Sequence, residues 1–328
     1  MAQRNDFTKG IVNDAYDWYF ERKDYAMLKS GWSEICDVRD VTNEDGAYEQ
    51  STSVIGSGTF TKFGERESIP EATPQEGFTT YAKYQKFGKK VPYSSEVVSD
   101  IPKSKSGNIL KDEVMGWADD EQRTLELFYA DHFNKGGFTA GDEIFNQSIV
   151  NALSYTPGNF IYDSKPWFAL TGNDHTSKGG SSYFNSLGLG IDPANLEAAM
   201  IRLKVKNARN ERDERVDLGM NYILLCAGEL EPTCERIVLT EKLPSSDQND
   251  TNVLYKKFRI VPSNYITTPT SWYVGVEKKM LRAYKKRNLK IDFYWDEDTE
   301  TYWVTGSLRY GAMIQNFRFT VAGSTPTS

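Results

Sequence analysis

The sequence predicts an α+β fold in which a long hairpin excursion precedes a long amphipathic helix and a mixed α/β portion. Three observations carry that reading. Residues 54–92 are a Gly- and Pro-punctuated series of short alternating runs, residues 108–135 keep a proline-free helical period, and from residue 192 onward short strands recur alongside two helix starts.

Taken in order, Phe7, Ile11, Ala15, Trp18 and Tyr19 recur at helical spacing, so residues 1–53 read as an amphipathic arm followed by a turn-rich connection through Asn43, Glu44, Asp45 and Gly46. In residues 54–92, runs such as Thr59 to Phe63 and Thr79 to Tyr84 alternate between Gly56, Gly58, Gly64, Gly77, Gly88, Pro70, Pro74 and Pro92, the pattern of a two-stranded hairpin with an irregular tip. A lone hairpin is marginal in water and long excursions are uncommon in compact domains. Some other surface should therefore cover Phe60, Phe63, Ile69, Phe78, Tyr81, Tyr84 and Phe87, which become the candidate intersubunit contacts. A hairpin folded back on its own domain would bury the same residues.

Within 93–150, Leu110, Val114, Trp117, Leu125, Phe128 and His132 mark one face of a helix over 108–135, roughly 42 Å long at about 1.5 Å per residue. Gly136 and Gly137 end it, and Asp119, Glu121, Arg123 and Glu126 are assigned to its solvated face. Residues 151–290 form the main α/β portion. There Asp192 caps a helix that has Pro193 at its first position and Leu196, Ala199, Met200 and Leu203 on one face. Residues 204–217 mix both signs of charge, as a solvated loop does. Strands are expected at 222–227, 258–261, 272–276, 291–295, 302–308 and 317–321, with a helix from Pro232 through 239 and a disordered tail over 323–328. Residues 291–328 are thus a closing set of strands.

Composition limits the function. The chain carries 39 Lys and Arg against 46 Asp and Glu, a net charge of −7, which argues against a dedicated nucleic-acid binder. Its 19 Tyr, 17 Phe and 7 Trp suit extensive subunit contacts or an aromatic core. Cys36, Cys226 and Cys234 follow no disulfide or metal-ligand spacing and read as reduced thiols. The first ten residues lack the apolar stretch of a secretory signal and no run reaches the length of a membrane span, so a soluble protein retained where it is made, with no membrane partner, is expected.

Chemistry finds little footing. His132 lies on the apolar helix face, where a core or interface histidine is the ordinary case. His175 sits in the loop 172–180 with Asp174, Ser177 and Lys178; sequence neighbours rarely make a triad, no nucleophile elbow supports one, and a loop-ordering hydrogen bond is the simpler role. Asp296 to Glu300 resembles the start of a calcium loop but has Thr301 where glycine is needed and Ser307 where glutamate is needed, so a hairpin turn is expected. Lys278, Lys279, Arg282, Lys285, Lys286, Arg287 and Lys290 form the strong basic cluster, suited to DNA or to an acidic neighbour. No catalytic, cofactor-binding or metal site is assigned.

The order of parts, together with the run Phe168 to His175, Gly179 and Gly180, Leu196 to Met200, Tyr222 to Glu231, and Asp296 to Thr301 followed by Ser307 to Gly311, resembles tailed-bacteriophage major capsid proteins of the Hong Kong 97-type fold, and among them the Mu-like major head subunits. The resemblance implies an N-terminal arm over 1–53, an E-loop over 54–92, a P-domain with its spine helix over 93–150, a mainly axial A-domain over 151–290, and C-terminal strands returning to both. It further implies a non-enzymatic virion protein, assembled in the host bacterial cytoplasm, that forms hexamers and pentamers of an icosahedral shell around double-stranded DNA without sequence-specific contact. A separate scaffolding protein, a portal and a decoration protein are the further partners it suggests. Lys62, Lys83 and Lys86 lie in the hairpin, but no partner Asn or promoting Glu is identifiable and no crosslink is expected. Two alternatives stay open at this point: an encapsulin-like nanocompartment shell, and a cytosolic hydrolase using His175.

Overall fold

The computed structural model describes residues 15–23, 31–43, 46, 48–54, 57–74, 76–96, 103–137, 165–219, 221–242, 251–314 and 316–324. Phe7 and Ile11 of the expected arm, and the side chains of Phe78 and Leu110, lie outside the described residues.

Two four-stranded sheets organise the chain. After helical residues 15–23 (α1) and a short turn of helix at Trp32–Ile35 (α2) come strands β1 (Cys36–Asp40), β2 (Tyr48–Val54), β3 (Glu76–Lys83) and β4 (Gln85–Ser94). The long helix α3 (Lys103–Asn134) follows, about 48 Å long at 1.5 Å per residue, and beyond it the two-residue strands β5 (His175–Thr176) and β6 (Ser182–Tyr183) pair with each other. The helix starts five residues before the predicted position. Near the chain end, β10 (Leu281–Asp296) and β11 (Thr301–Met313) make a long hairpin, and the first sheet has the order β1-β10-β11-β4.

Alternation along these strands places Leu289, Ile291, Val304, Leu308 and Tyr310 on the face under α3, where they meet Val114, Trp117 and Ala118 of the helix and Ala15 and Tyr19 of α1. Burying this seam is what orients α1 and α3. The helix ends where Gly136 lets the Phe168 ring occupy the space a Cβ would need.

The second sheet, in the order β12-β9-β7-β8, contains β7 (Tyr222–Ala227), β8 (Phe258–Ser263), β9 (Trp272–Val276) and β12 (Thr320–Ala322). Strand β7 runs parallel to β8 and antiparallel to β9, and both β7 and β9 are buried along their whole length. A strand covered on both faces reads as an unbroken apolar run, which is why Tyr222 to Ala227 was visible in the sequence. On one face lie α4 (Pro193–Ile201) and α5 (Glu231–Val238), through Leu196, Ala199, Cys234, Ile237 and Val238. Asp192 caps α4, its side chain accepting from the Asn195 amide at 2.7 Å. On the other face Ile223, Leu225 and Tyr273 share a core with Phe128 and Phe133 of α3, the stacked Trp167 and Phe168, and Leu281 at the start of β10.

Several expectations need correction. The run Thr59 to Phe63 is irregular, not a strand, and the hairpin strands are β2 and β3, while residues 85–92 belong to β4 in the first sheet. Part of the predicted arm, β1, pairs in parallel with β10, and the division placed at residue 290 falls inside β10. The strand predicted at 291–295 begins at Leu281, because the charged run had hidden its alternation. Glu121 is buried, not solvated. The tail starts later than predicted: Gly323 and Ser324 are buried, and the Gly323 amide donates to the Trp272 carbonyl at 2.9 Å.

Candidate functional site

The extension formed by β2, residues 57–74 and β3 is the feature the fold itself does not explain. Its root is ordinary core. Ala82 and Tyr84 pack with Val41, Tyr284 and Met313, Tyr48 and Tyr81 meet at 6.0 Å between ring centroids, and the Tyr84 hydroxyl donates to Glu49. Its tip is different, because every residue from Ser57 to Pro74 is exposed. Phe60 is 107 % exposed, Ile69 74 % and Phe63 49 %, so one segment presents two open apolar side chains and a third that is half-exposed.

The tip is nevertheless held. Lys178 Nζ donates to the Gly77 carbonyl at 3.0 Å, and Arg212 Nη2 donates to the Thr73 carbonyl at 2.9 Å. A turn closes at the end, where the Glu67 amide donates to the Gly64 carbonyl at 3.2 Å and the Gly64 amide donates to the Glu67 carboxylate at 2.6 Å. Gly58, with φ +89°, occupies backbone space that glycine adopts without strain.

Of the seven predicted contact residues, Phe60, Phe63 and Ile69 stand exposed on the 57–74 loop, and the structure separates the rest from them. Tyr81 and Tyr84 are buried within the subunit, and Phe87, on β4, packs edge-on against Phe128 at 5.6 Å. These three make contacts within the subunit, since β3 and β4 enter the chain's own core. Phe78 cannot be assigned, its side chain lying outside the described residues.

His175, the basis of the hydrolytic alternative, is a core residue. That ring is fully buried, stacks on Phe317 at 4.0 Å, and places Nε2 3.2 Å from the Trp167 carbonyl. Ser177 instead donates to Asp213 at 2.6 Å, and Lys178 reaches Gly77, so the loop's polar groups turn to separate partners. His132 is a core residue: its Nδ1 lies 2.8 Å from the Phe128 carbonyl, and burial pushes its pKa down to about 4. Asp296 accepts from the Asp298 amide at 3.2 Å and from Thr299 at 2.9 Å, closing the β10–β11 turn as expected. All three cysteines are free and buried. Among the described residues no cluster of His, Cys, Asp and Glu is arranged to hold a metal.

Sequence reading missed Glu121. On α3 it is 4 % exposed and accepts from Tyr19, from Lys23 at 3.1 Å and from Tyr310 at 3.0 Å, so one carboxylate ties α1, α3 and β11 together. Burial raises its pKa to about 6, against the opposing pull of Tyr310 and Lys285. Its place in the heptad between Trp117 and Leu125, with Val114 a turn before, was the available signal.

No family model and no curated protein matches the chain. Solved structures do. The capsid of Ralstonia phage GP4 superposes with a TM-score of 0.53 at 7 % identity, over 90 % of this chain and 89 % of that one. A Mycobacterium phage Patience structure gives 0.52 at 11 %, over 96 % and 88 %, and the mature capsid of bacteriophage PhiM1 gives 0.52 at 9 %, over 90 % and 87 %. At such identities the likeness is one of fold, and the fold is the Hong Kong 97 type.

Proposed function

We propose that this protein is the major head subunit of a tailed-phage-like particle, self-assembling into hexamers and pentamers of an icosahedral shell that encloses double-stranded DNA. The observation that carries the reading is the exposed 57–74 loop on a fold similar, over about nine-tenths of the chain, to subunits of phage capsids. A loop bearing Phe60, Phe63 and Ile69 in the open is a poor feature for a monomer and a suitable one for a subunit whose neighbour supplies the cover.

In this reading the first sheet with α3 is the peripheral P-domain, the second sheet with α4 and α5 is the axial A-domain, and the loop is the E-loop, laid over the P-domain of the next subunit. Such a head-to-tail contact is heterologous, so repetition gives rings and curvature closes them. Membership of the Mu-like subfamily belongs to the same proposal, supported by the sequence motifs named above; a separate scaffolding protein, a portal and a decoration protein are the partners that such a particle implies.

The test is the double substitution Phe60→Ser with Ile69→Ser. The expected result is a subunit with an unchanged thermal melt that no longer forms rings or closed particles under conditions where the parent does. Normal particle formation by the variant would remove the loop from the assembly surface, and absence of rings and particles from the parent would overturn the proposal.

A further inference from the structure

The face of the first sheet turned away from α3 carries a cationic array that the fold does not account for. Register places Lys86 opposite Arg309, and Arg309 opposite Arg287, so three cations stand side by side on β4, β11 and β10. Residues directly opposed across strands lie about 5 Å apart, and like charges there repel. Lys90 and Lys290 extend the array on the same face, where Asp292, paired with Lys290 at 2.9 Å, supplies a carboxylate. Glu49 approaches through Tyr84, whose ring Arg309 overlies at 5.4 Å and Lys286 at 5.2 Å.

Two further observations indicate a purpose for this repulsion. Strand β10 is irregular on both sides of Arg287, with register shifts between Lys285 and Arg287 and again between Arg287 and Lys290. Bulges of this kind re-aim side chains at functional positions. Arg287 donates to Ser307 at 3.0 Å, yet its Nε is buried without an acceptor among the described residues.

On the opposite side of this layer the exposed acids of α3 are largely paired, Asp119 with Arg22 at 2.9 Å and Asp120 with Lys89 at 2.5 Å, so the row of opposed cations is particular to the sheet face. The floor between the cations is Gly88, Ser307 and Thr305, flat and hydroxyl-bearing. Trp303 and Tyr294 border this floor on the same face, and Lys90 overlies their rings at 3.4 and 4.9 Å; the charges and hydroxyl donors beside them are the groups that a phosphate backbone takes.

We infer that the sheet face bearing Lys86, Arg309, Arg287, Lys90 and Lys290 binds the phosphate backbone of nucleic acid, and so is the face a shell of this protein turns toward its DNA. The inference rests on the proposed shell function for the identity of the polyanion, while the binding itself can be measured without it. Contact is through backbone phosphates and independent of sequence.

The experiment is binding of a labelled, random-sequence DNA duplex to the full-length subunit across a salt series. The variants are the triple Lys86→Gln/Arg287→Gln/Arg309→Gln, and a control, Lys204→Gln/Lys206→Gln/Arg236→Gln, with the same charge change on the second lobe. The triple variant is expected to bind roughly tenfold more weakly and to flatten the plot of log K against log salt by about 2–3, while the control keeps the parent slope. Relief of the like-charge row should leave its thermal melt no lower than the parent's, and Arg309→Gln alone should give an intermediate loss. No binding by the parent at low salt, equal losses in both variants, or competition by polyglutamate as effective as by duplex would each overturn the inference. Particle formation by the same variants separates the two ideas: closed particles with unchanged DNA binding reject this face alone, whereas absence of particles from the parent rejects the shell function.

Discussion

The Tyr310 hydroxyl donates a 3.0 Å hydrogen bond to the buried carboxylate of Glu121, joining β11 to the long helix at the point where α1 also docks. A carboxyl group whose pKa is raised from 4.5 to about 6 binds more protons in the folded state than in the unfolded one between those values. Folding stability from this group is therefore greatest below about pH 4.5 and falls as pH rises through 6. Relative to Glu121→Gln, which cannot titrate, the parent should lose about 2 kcal/mol between pH 4 and pH 7. Urea unfolding of both proteins across that range measures the difference; parallel pH profiles would mean that the carboxylate does not titrate there.

Tyr84 and Phe60 were alike in the sequence and are opposites in the structure. Tyr84→Ala, which opens a cavity among Val41, Tyr284 and Met313, is expected to cost about 3 kcal/mol of subunit stability, against under about 0.5 kcal/mol for Phe60→Ser. Chemical denaturation of the unassembled subunits compares them. Similar costs would place Phe60 in a core as well.

Arg318 is 1 % exposed, and its Nη1 donates to Glu211 Oε1 at 2.5 Å, tying the last strand region to the charged loop. Removing one partner of a buried pair leaves the other charge stranded, so Glu211→Ala should cost about 3 kcal/mol, and adding Arg318→Met should recover part of it. A double variant no more stable than the single one would contradict this.

Gly306 lets α3 approach the sheet, since a Cβ there would stand 2.6 Å from the Trp117 ring. Gly306→Ala should therefore destabilise by about 1–3 kcal/mol through overpacking, read as a lowered denaturation midpoint. An unchanged midpoint would show the helix free to move outward.

These residues also mark what the sequence could and could not reveal. The long helix, the strand Tyr222 to Ala227, the Asp192 cap and the turn at Asp296 were legible because each rests on local pattern. Strand β10 was only half visible, because its outward positions are cations and its register is bulged, which breaks the period of two. Glu121 was misplaced because a carboxylate on a helix is ordinarily solvated, and its burial depends on Tyr19 and Tyr310, 102 and 189 residues away. The hairpin's existence was readable, but which aromatics are core and which are exposed depends on where β3 gives way to β4. That handover is set by pairing with β11, a long-range contact with no local signature.

The most direct test of the shell function is negative-stain microscopy with mass determination on the purified protein, alone and together with the products of neighbouring genes. Uniform hollow particles, or stable hexamers and pentamers, are the expected result. A monomer or dimer that persists under every condition would contradict it.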